Sequence, residues 1–237
     1  MRVAALSDIH GNLPALEAVL ADVELEEVDA IVVAGDSVSA PWPSEVFDRL
    51  AAVGARTVRG NADRLEEVMR HDSHLAAWTA DRLGPERLEI VASWPLTLEL
   101  DVDGVGRVLV CHSTPSSDDP IYTRITPDDE LIATLGPLDA DVVVCGHTHM
   151  QYDRRLSSGL RLVNPGSVGL PYEGRRGAFW ALLGPDVEFR RSEYDVDAAA
   201  AAIRALDAPV EERLIEYLVD PADPDEITSY FESLRGT

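Results

Sequence analysis

The chain has 237 residues, 46% hydrophobic, 27% charged and 6% aromatic, a composition that excludes disorder as its main state and suits one folded domain. It carries 20 Lys+Arg against 43 Asp+Glu, a formal charge of −23, and all its basic residues are arginine. Such a chain is a poor partner for long nucleic acid or an anionic membrane, so any phosphate-bearing ligand needs a local cation.

Arg2–Ser7 reads as a buried strand, and Asp8 follows too soon for a signal peptide. With no run of 18 apolar residues, no membrane span is expected and the cytoplasm is the default location. Leu13–Leu25 places Leu13, Leu16, Val19, Leu20 and Val23 at helical spacing. Asp29–Ala34 is a β-branched strand, Ser44–Val53 a helix and Ala55–Val58 a short strand. This β-α-β-α-β order implies parallel strands with helices on their faces. Arg64–Ser93 reads as helical and mostly exposed, broken at Gly84-Pro85, with His71 and His74 as solvated surface histidines.

Strands Leu96–Val102 and Arg107–Cys111 flank the turn signal Asp103-Gly104. Thr126–Leu135 is a helix and Asp141–Cys145 a strand. Two more hairpins follow, Gln151–Leu156 with Leu160–Val163 and Gly177–Leu183 with Val187–Ser192. Cys111 and Cys145 end apolar runs and read as buried thiols, not a disulfide framework. Helical segments at Val196–Leu206, Val210–Leu218 and Glu226–Leu234 close the chain. We therefore expect a domain over 1–194 and a helical appendage over 195–237, packed on the domain or at a subunit contact.

The chemistry-bearing residues sit just past strand ends. They are Asp8-x-His10, Gly35-Asp36, Gly60-Asn61-x-Asp63, His112 and Gly146-His147-Thr148-His149. In open α/β sheets, ligands bind at the carboxyl ends of strands. Five strands thus bring carboxylate, imidazole and amide donors toward one edge, a set suited to two divalent cations sharing a carboxylate. Each piece alone is weak; the order and the common placement carry the reading.

The same series resembles the calcineurin-like metallophosphoesterases, in particular their small bacterial and archaeal phosphodiesterase branch. Asn164-Pro165-Gly166-Ser167-Val168 is similar to a further segment of that branch. The resemblance covers roughly residues 1–192 and implies an α/β fold, a four-layer α-β-β-α sandwich of two mixed sheets. It implies one metal on Asp8, His10, Asp36 and His149, and a second on Asp36, Asn61, His112 and His147, with Asp36 bridging. The implied cofactors are two divalent ions, manganese first, then iron, nickel or zinc. The implied activity is phosphoester hydrolysis by in-line attack of a metal-bridging hydroxide, with Asp36, Asn61, His112 and Asp63 at the catalytic centre.

One position departs from the family. Many members have a histidine after the Asn, as a proton donor to the leaving group; here it is Ala62. A water, Asp63 or another residue then donates, or only good leaving groups are cleaved. Asp63 is expected to accept a hydrogen bond from His10 or to serve as a helix-start acid. Asn12 is expected to cap the first helix, or to sit by the substrate phosphate. The loop Ser113–Ile125 is expected to be exposed and to wall the cleft. Tyr122, Arg124, Arg175 and Arg176 are candidate substrate contacts or plain surface residues, and Trp42 lines a pocket mouth or packs as a lid. The substrate is expected to be a small phosphodiester. A monoester, a dinucleoside polyphosphate and a non-catalytic scaffold are the alternatives.

Overall fold

The structure is a computed structural model and describes residues 1–65, 74–206 and 208–235. Among the described residues, ten strands form two five-stranded sheets. β1 (Val3–Leu6), β2 (Ala30–Val33), β3 (Arg56–Thr57), β9 (Ala178–Leu183) and β10 (Val187–Ser192) make the first, in the order β10-β9-β1-β2-β3. β4 (Thr97–Val102), β5 (Gly106–Cys111), β6 (Val142–Val144), β7 (Gln151–Arg155) and β8 (Arg161–Pro165) make the second, in the order β4-β5-β6-β8-β7. Both are mixed. β1, β2 and β3 are parallel, as the alternating order requires, and β9 joins β1 antiparallel. In the second sheet β5, β6 and β8 are parallel, while the hairpins β4–β5 and β7–β8 are antiparallel.

Alternation along the strands builds the layers. Val3, Ala5, Val32 and Ala34 face Val108, Val110, Val142 and Val144 across the gap between the sheets. Ala4, Leu6, Val33, Trp180 and Leu182 face outward onto helices α1 (Leu13–Glu24), α2 (Pro43–Ala52) and α3 (His74–Ala92). On the far side, Leu109, Cys111, Val143 and Cys145 pack on Leu131 and Leu135 of α4 (Asp128–Leu135). The result is the α-β-β-α sandwich. β1 is buried along its whole length because both its faces are covered.

Local chemistry sets the helix ends. The Asn12 side chain accepts from the Ala15 N–H at 3.3 Å, and Pro14 sits where no N–H is needed. Asn12 also donates to the Gly169 carbonyl at 3.0 Å, so it is a cap that ties two loops together. α3 does break at Gly84, whose φ is +72°. It is less exposed than its polar sequence suggests. Ala76, Leu83 and Val91 are buried in the core against the first sheet. His74 is exposed, and His71 lies outside the described residues.

The tail forms α5 (Val196–Ala205), α6 (Glu212–Val219) and α7 (Pro224–Ser233). Val196, Ala200, Ile203, Ile215 and Leu218 bury an apolar stripe against Leu170, Tyr194 and Trp42 of the body. Trp42 thus packs under the tail. Arg176 donates to the Val219 carbonyl at 2.6 Å and pairs with Asp197, and Arg124 pairs with Asp225. Both arginines act as struts between body and tail.

Glu232 of α7 accepts from the Thr123 and Thr126 hydroxyls. Burial raises its carboxyl, but those hydroxyls and Arg235 prevail and hold it below the ordinary value of 4.5. A carboxyl lowered on folding contributes stability above its ordinary pKa, and that contribution is lost as pH falls through the lowered value. Hydrogen exchange corrected for intrinsic rates should therefore show weaker α7 protection at pH 3.5 than at pH 6. Equal protection at both would discount the contact.

Candidate metal centre

Each parallel strand ends in a loop that turns sharply and aims a side chain back over the sheet edges. The backbone records this as strain. Asp8, His10, Asp36, His147 and His149 all have φ between +45° and +72°, a left-handed region that costs a non-glycine residue on the order of 1 kcal/mol. Among the described residues, only Glu27 and Ala40 join them as non-glycines with positive φ. Such strain persists only where the surroundings enforce it. Here hydrogen bonds lock the loops together. The His10 and Gly11 amides donate to the Asp36 and Ser37 carbonyls at 2.9 and 3.0 Å. The His147 amide donates to the Asp8 carboxylate at 3.1 Å.

The side chains converge in two groups. Ligand atoms of Asp8, His10, Asp36 and His149 all lie within 4.8 Å of one another. His10 Nε2 stands 3.2 Å from His149 Nε2 and 3.6 Å from Asp36 Oδ2, and His149 Nε2 stands 3.2 Å from Asp8 Oδ1. In the second group His112 Nε2 lies 3.4 Å from Asp36 Oδ2, 3.0 Å from Asn61 Oδ1 and 3.2 Å from His147 Nδ1. Asp36 touches both groups. Asp8, Asp36 and His112 are buried.

The far side of three rings fixes their tautomers. His112 Nδ1 donates to the Ala34 carbonyl at 2.8 Å and His149 Nδ1 to the Leu170 carbonyl at 2.7 Å. His147 Nε2 donates to the Asp119 carbonyl at 3.2 Å. With those protons committed, the opposite nitrogens turn toward oxygen acceptors and toward one another. Acceptors crowded at 3.0–3.4 Å need a proton or a cation between them. Burial opposes charge on His112, yet Asp36, Asp8 and the Ala34 carbonyl raise it to about 10. His149 is raised against burial by Asp8 and the Leu170 carbonyl. Burial lowers His10 and His147 to about 4. Burial works against the Asp8 and Asp36 charges too, but the neighbouring imidazoles lower both carboxyls. The donor set of buried carboxylate, amide and imidazole fits divalent metal at both groups.

Asp63 needs correction. It does not reach His10. Its Oδ1 accepts from the Ser37 and Val38 amides at 3.0 and 3.3 Å, and its Oδ2 from the Gly60 amide at 3.0 Å. It is the last residue of a short 3-10 turn at Asn61–Asp63, caps that turn by reaching back to Gly60, and clamps the Asp36 loop to the Asn61 loop. Burial and the Asp36 charge push its carboxyl up to about 7, against the pull of the Gly60 and Val38 amides.

The loop 113–125 also differs from expectation. Ser113, Thr114, Asp118, Tyr122 and Thr123 are buried, and the Tyr122 hydroxyl bonds the Ser113 carbonyl at 2.5 Å inside the α4 core. Tyr122 is therefore packing, not a stacking platform. Arg175 lies over the Phe179 ring at 5.1 Å.

Several contributors carry no sequence signal. The Ala34, Leu170 and Asp119 groups that orient the rings are main-chain carbonyls. Tyr172 stacks on His149, with ring centroids 5.1 Å apart, and meets Tyr217 and Phe231 of the tail. Asn164 donates to the Gly146 carbonyl at 2.7 Å, and Ser167 to the Asp8 carbonyl at 2.7 Å, which gives the 164–168 segment its part in holding the ligand loops.

Gly60 shows how tightly the site is packed. A Cβ there would lie 2.1 Å from Asp36 Oδ1. Gly60→Ala must displace the shared carboxylate or the loop, an overpacking cost of roughly 1–3 kcal/mol. Metal analysis of the purified variant should show a lower metal content than the native protein. Native metal content would show that the loop yields without cost.

A two-sheet sandwich with this cluster at the strand ends is that of a metal-dependent phosphoesterase. The chain belongs to the calcineurin-like phosphoesterase superfamily, whose domain model matches residues 1–183. It is 26% identical over 199 residues to the phosphodiesterase YfcE of Escherichia coli, covering 79% of this chain and 89% of that one. It is 28% identical over 243 residues to the uncharacterized protein MJ0912 of Methanocaldococcus jannaschii, covering 91% of this chain and 95% of the relative. The crystal structure of a metallophosphoesterase from Sphaerobacter thermophilus superposes with a TM-score of 0.74 at 29% identity, covering 94% of this chain and 99% of the other. No helix among the described residues is long and apolar enough to cross a membrane.

Proposed function

We propose that the protein hydrolyses phosphodiesters of small molecules or nucleotides at a dinuclear metal centre. The observation that carries this reading is Asp36. Its Oδ2 lies 3.6 Å from His10 Nε2 and 3.4 Å from His112 Nε2, so one carboxylate serves both donor groups. Asp8, His10, Asp36 and His149 would hold one ion; Asp36, Asn61, His112 and His147 would hold the other. Bound there, two divalent cations would acidify a water to supply the nucleophile and would neutralise the phosphate oxygens.

The chain itself supplies orientation. The carbonyls of Ala34, Leu170 and Asp119 hold three imidazoles at fixed angles. The Ala62 amide donates to Asp36 Oδ1 at 2.7 Å, so that position contributes its backbone and no acid. Both Asp63 oxygens are engaged as acceptors by loop amides. That arrangement favours esters whose alcohol departs without a side-chain acid. The mixed nitrogen and oxygen donors suit manganese, with iron, nickel or zinc as alternatives. The two free thiols, Cys111 and Cys145, fit a cytoplasmic protein.

Hydrolysis of bis(p-nitrophenyl) phosphate should appear on titrating Mn²⁺ into chelator-treated protein, and should vanish again with excess chelator. Comparison with p-nitrophenyl phosphate and a dinucleoside polyphosphate separates the diesterase reading from its alternatives. A fully metal-loaded protein with no turnover on any of these esters would sink the proposal.

A further inference from the structure

Beside the metal-ligand cluster lies an apolar recess that the proposed hydrolysis leaves unassigned. It holds about 70 Å³ and opens to solvent, between the loops after β1, β2 and β8 and the C-terminal helices. Its walls include His10, Pro41, Leu75, Leu170, Leu214 and Leu218. Two of these belong to the metal site as well. His10 presents Nε2 to His149 and Asp36 while its ring closes one end of the recess. Leu170 orients His149 through its carbonyl. A phosphorus seated over the cluster therefore has one ester substituent within reach of this recess.

The charges narrow what that substituent is. Arg59 and Arg64 are paired with Asp118 and Asp119, the segment whose carbonyl meets His147. The chain as a whole carries −23. A second phosphate beside Arg59 and Arg64 would meet cations already paired with carboxylates. A neutral apolar group gains from burial instead, and the walls of the recess are mostly apolar.

We infer that the recess between His10 and the C-terminal helices receives the neutral organic substituent of the ester. The substrate class is then a mono-phosphate diester carrying an aromatic or aliphatic group, not a polyphosphate. Helix α6, through Leu214 and Leu218, becomes a specificity-determining element outside the family domain. This inference rests on the hydrolytic reading above, and its test separates the two.

The probes are phenylphosphonate and methylphosphonate, titrated by calorimetry into the Mn²⁺-loaded protein. They share one headgroup and differ only in the group offered to the recess. Phenylphosphonate should bind at least ~10-fold tighter. The ratio should fall toward one in Leu214→Trp, which fills the recess, and in Leu214→Asp, which makes it polar; circular dichroism of both variants checks folding. Equal affinities in the native protein, or a ratio preserved in both folded variants, would overturn the inference. Turnover of methyl p-nitrophenyl phosphate tests the hydrolytic reading by itself. Turnover with equal phosphonate affinities removes only the recess assignment; no turnover and no binding of either phosphonate removes both.

Discussion

Replacing Asp36 and His147 together by alanine should leave a folded protein that neither retains metal nor turns over an activated phosphodiester. Asp36 is the carboxylate common to both donor groups, and His147 closes the second beside His112 and Asn61. Loss of groups that merely support a metal ligand costs 10–100-fold, and loss of one electrostatic partner of a transition state about 10²–10³-fold. The double variant removes a shared ligand and a second one, so kcat/KM should fall by at least ~10³. Elemental analysis and rate measurements check this together. His74→Ala, on the exposed start of α3, is the control and should leave both unchanged. Retained metal and turnover in the double variant would mean that the cluster is not the working centre.

The second large effect is on stability. Asp63→Ala removes the acceptor for three buried amides, those of Ser37, Val38 and Gly60. Leaving buried donors without partners costs about 1–3 kcal/mol each, less where water enters, so a total near 3 kcal/mol is expected. For a chain of this length that lowers Tm by roughly 6–12 °C. Asp63→Asn should fall between native and alanine. Its amide oxygen can still accept from Ser37 and Val38, and the loss of a negative charge relieves the repulsion from Asp36, but its NH2 meets the Gly60 N–H, donor against donor. Thermal melts of the three proteins give the order. A Tm within a degree of native for Asp63→Ala would show that the clamp is dispensable.

These two cases mark what a reader of the sequence can and cannot see. Asp8, Asp36 and His112 stand within two residues of the ends of apolar runs, so their common location at strand ends follows from topology alone. Asp63 was legible as an acid at a helix start, but not as a clamp. Its partners are three main-chain amides, and one of them is only three residues away. The carbonyls of Ala34, Leu170 and Asp119 are invisible for the same reason: any residue type supplies them. Tyr122 misled because it sits among Ser, Pro and Asp, a setting that reads as exposed. Its ring is buried against α4 and its hydroxyl finds a carbonyl nearby, so the loop folds inward. The placement of β9 beside β1 was equally hidden. Hairpin signals identify a local partner, whereas pairing across more than 170 residues depends on which sheet edge remains open.

The positive φ values at five ligand positions set this protein's chemistry against its own durability. Glycine would relax every one of those turns, and no other residue type would do so as cheaply. Under selection for robustness alone, Asp8, His10, Asp36, His147 and His149 are the places where the chain would drift toward glycine, growing sturdier as its catalytic centre emptied. That these positions carry aspartate and histidine instead is a stability cost the fold bears for the cluster.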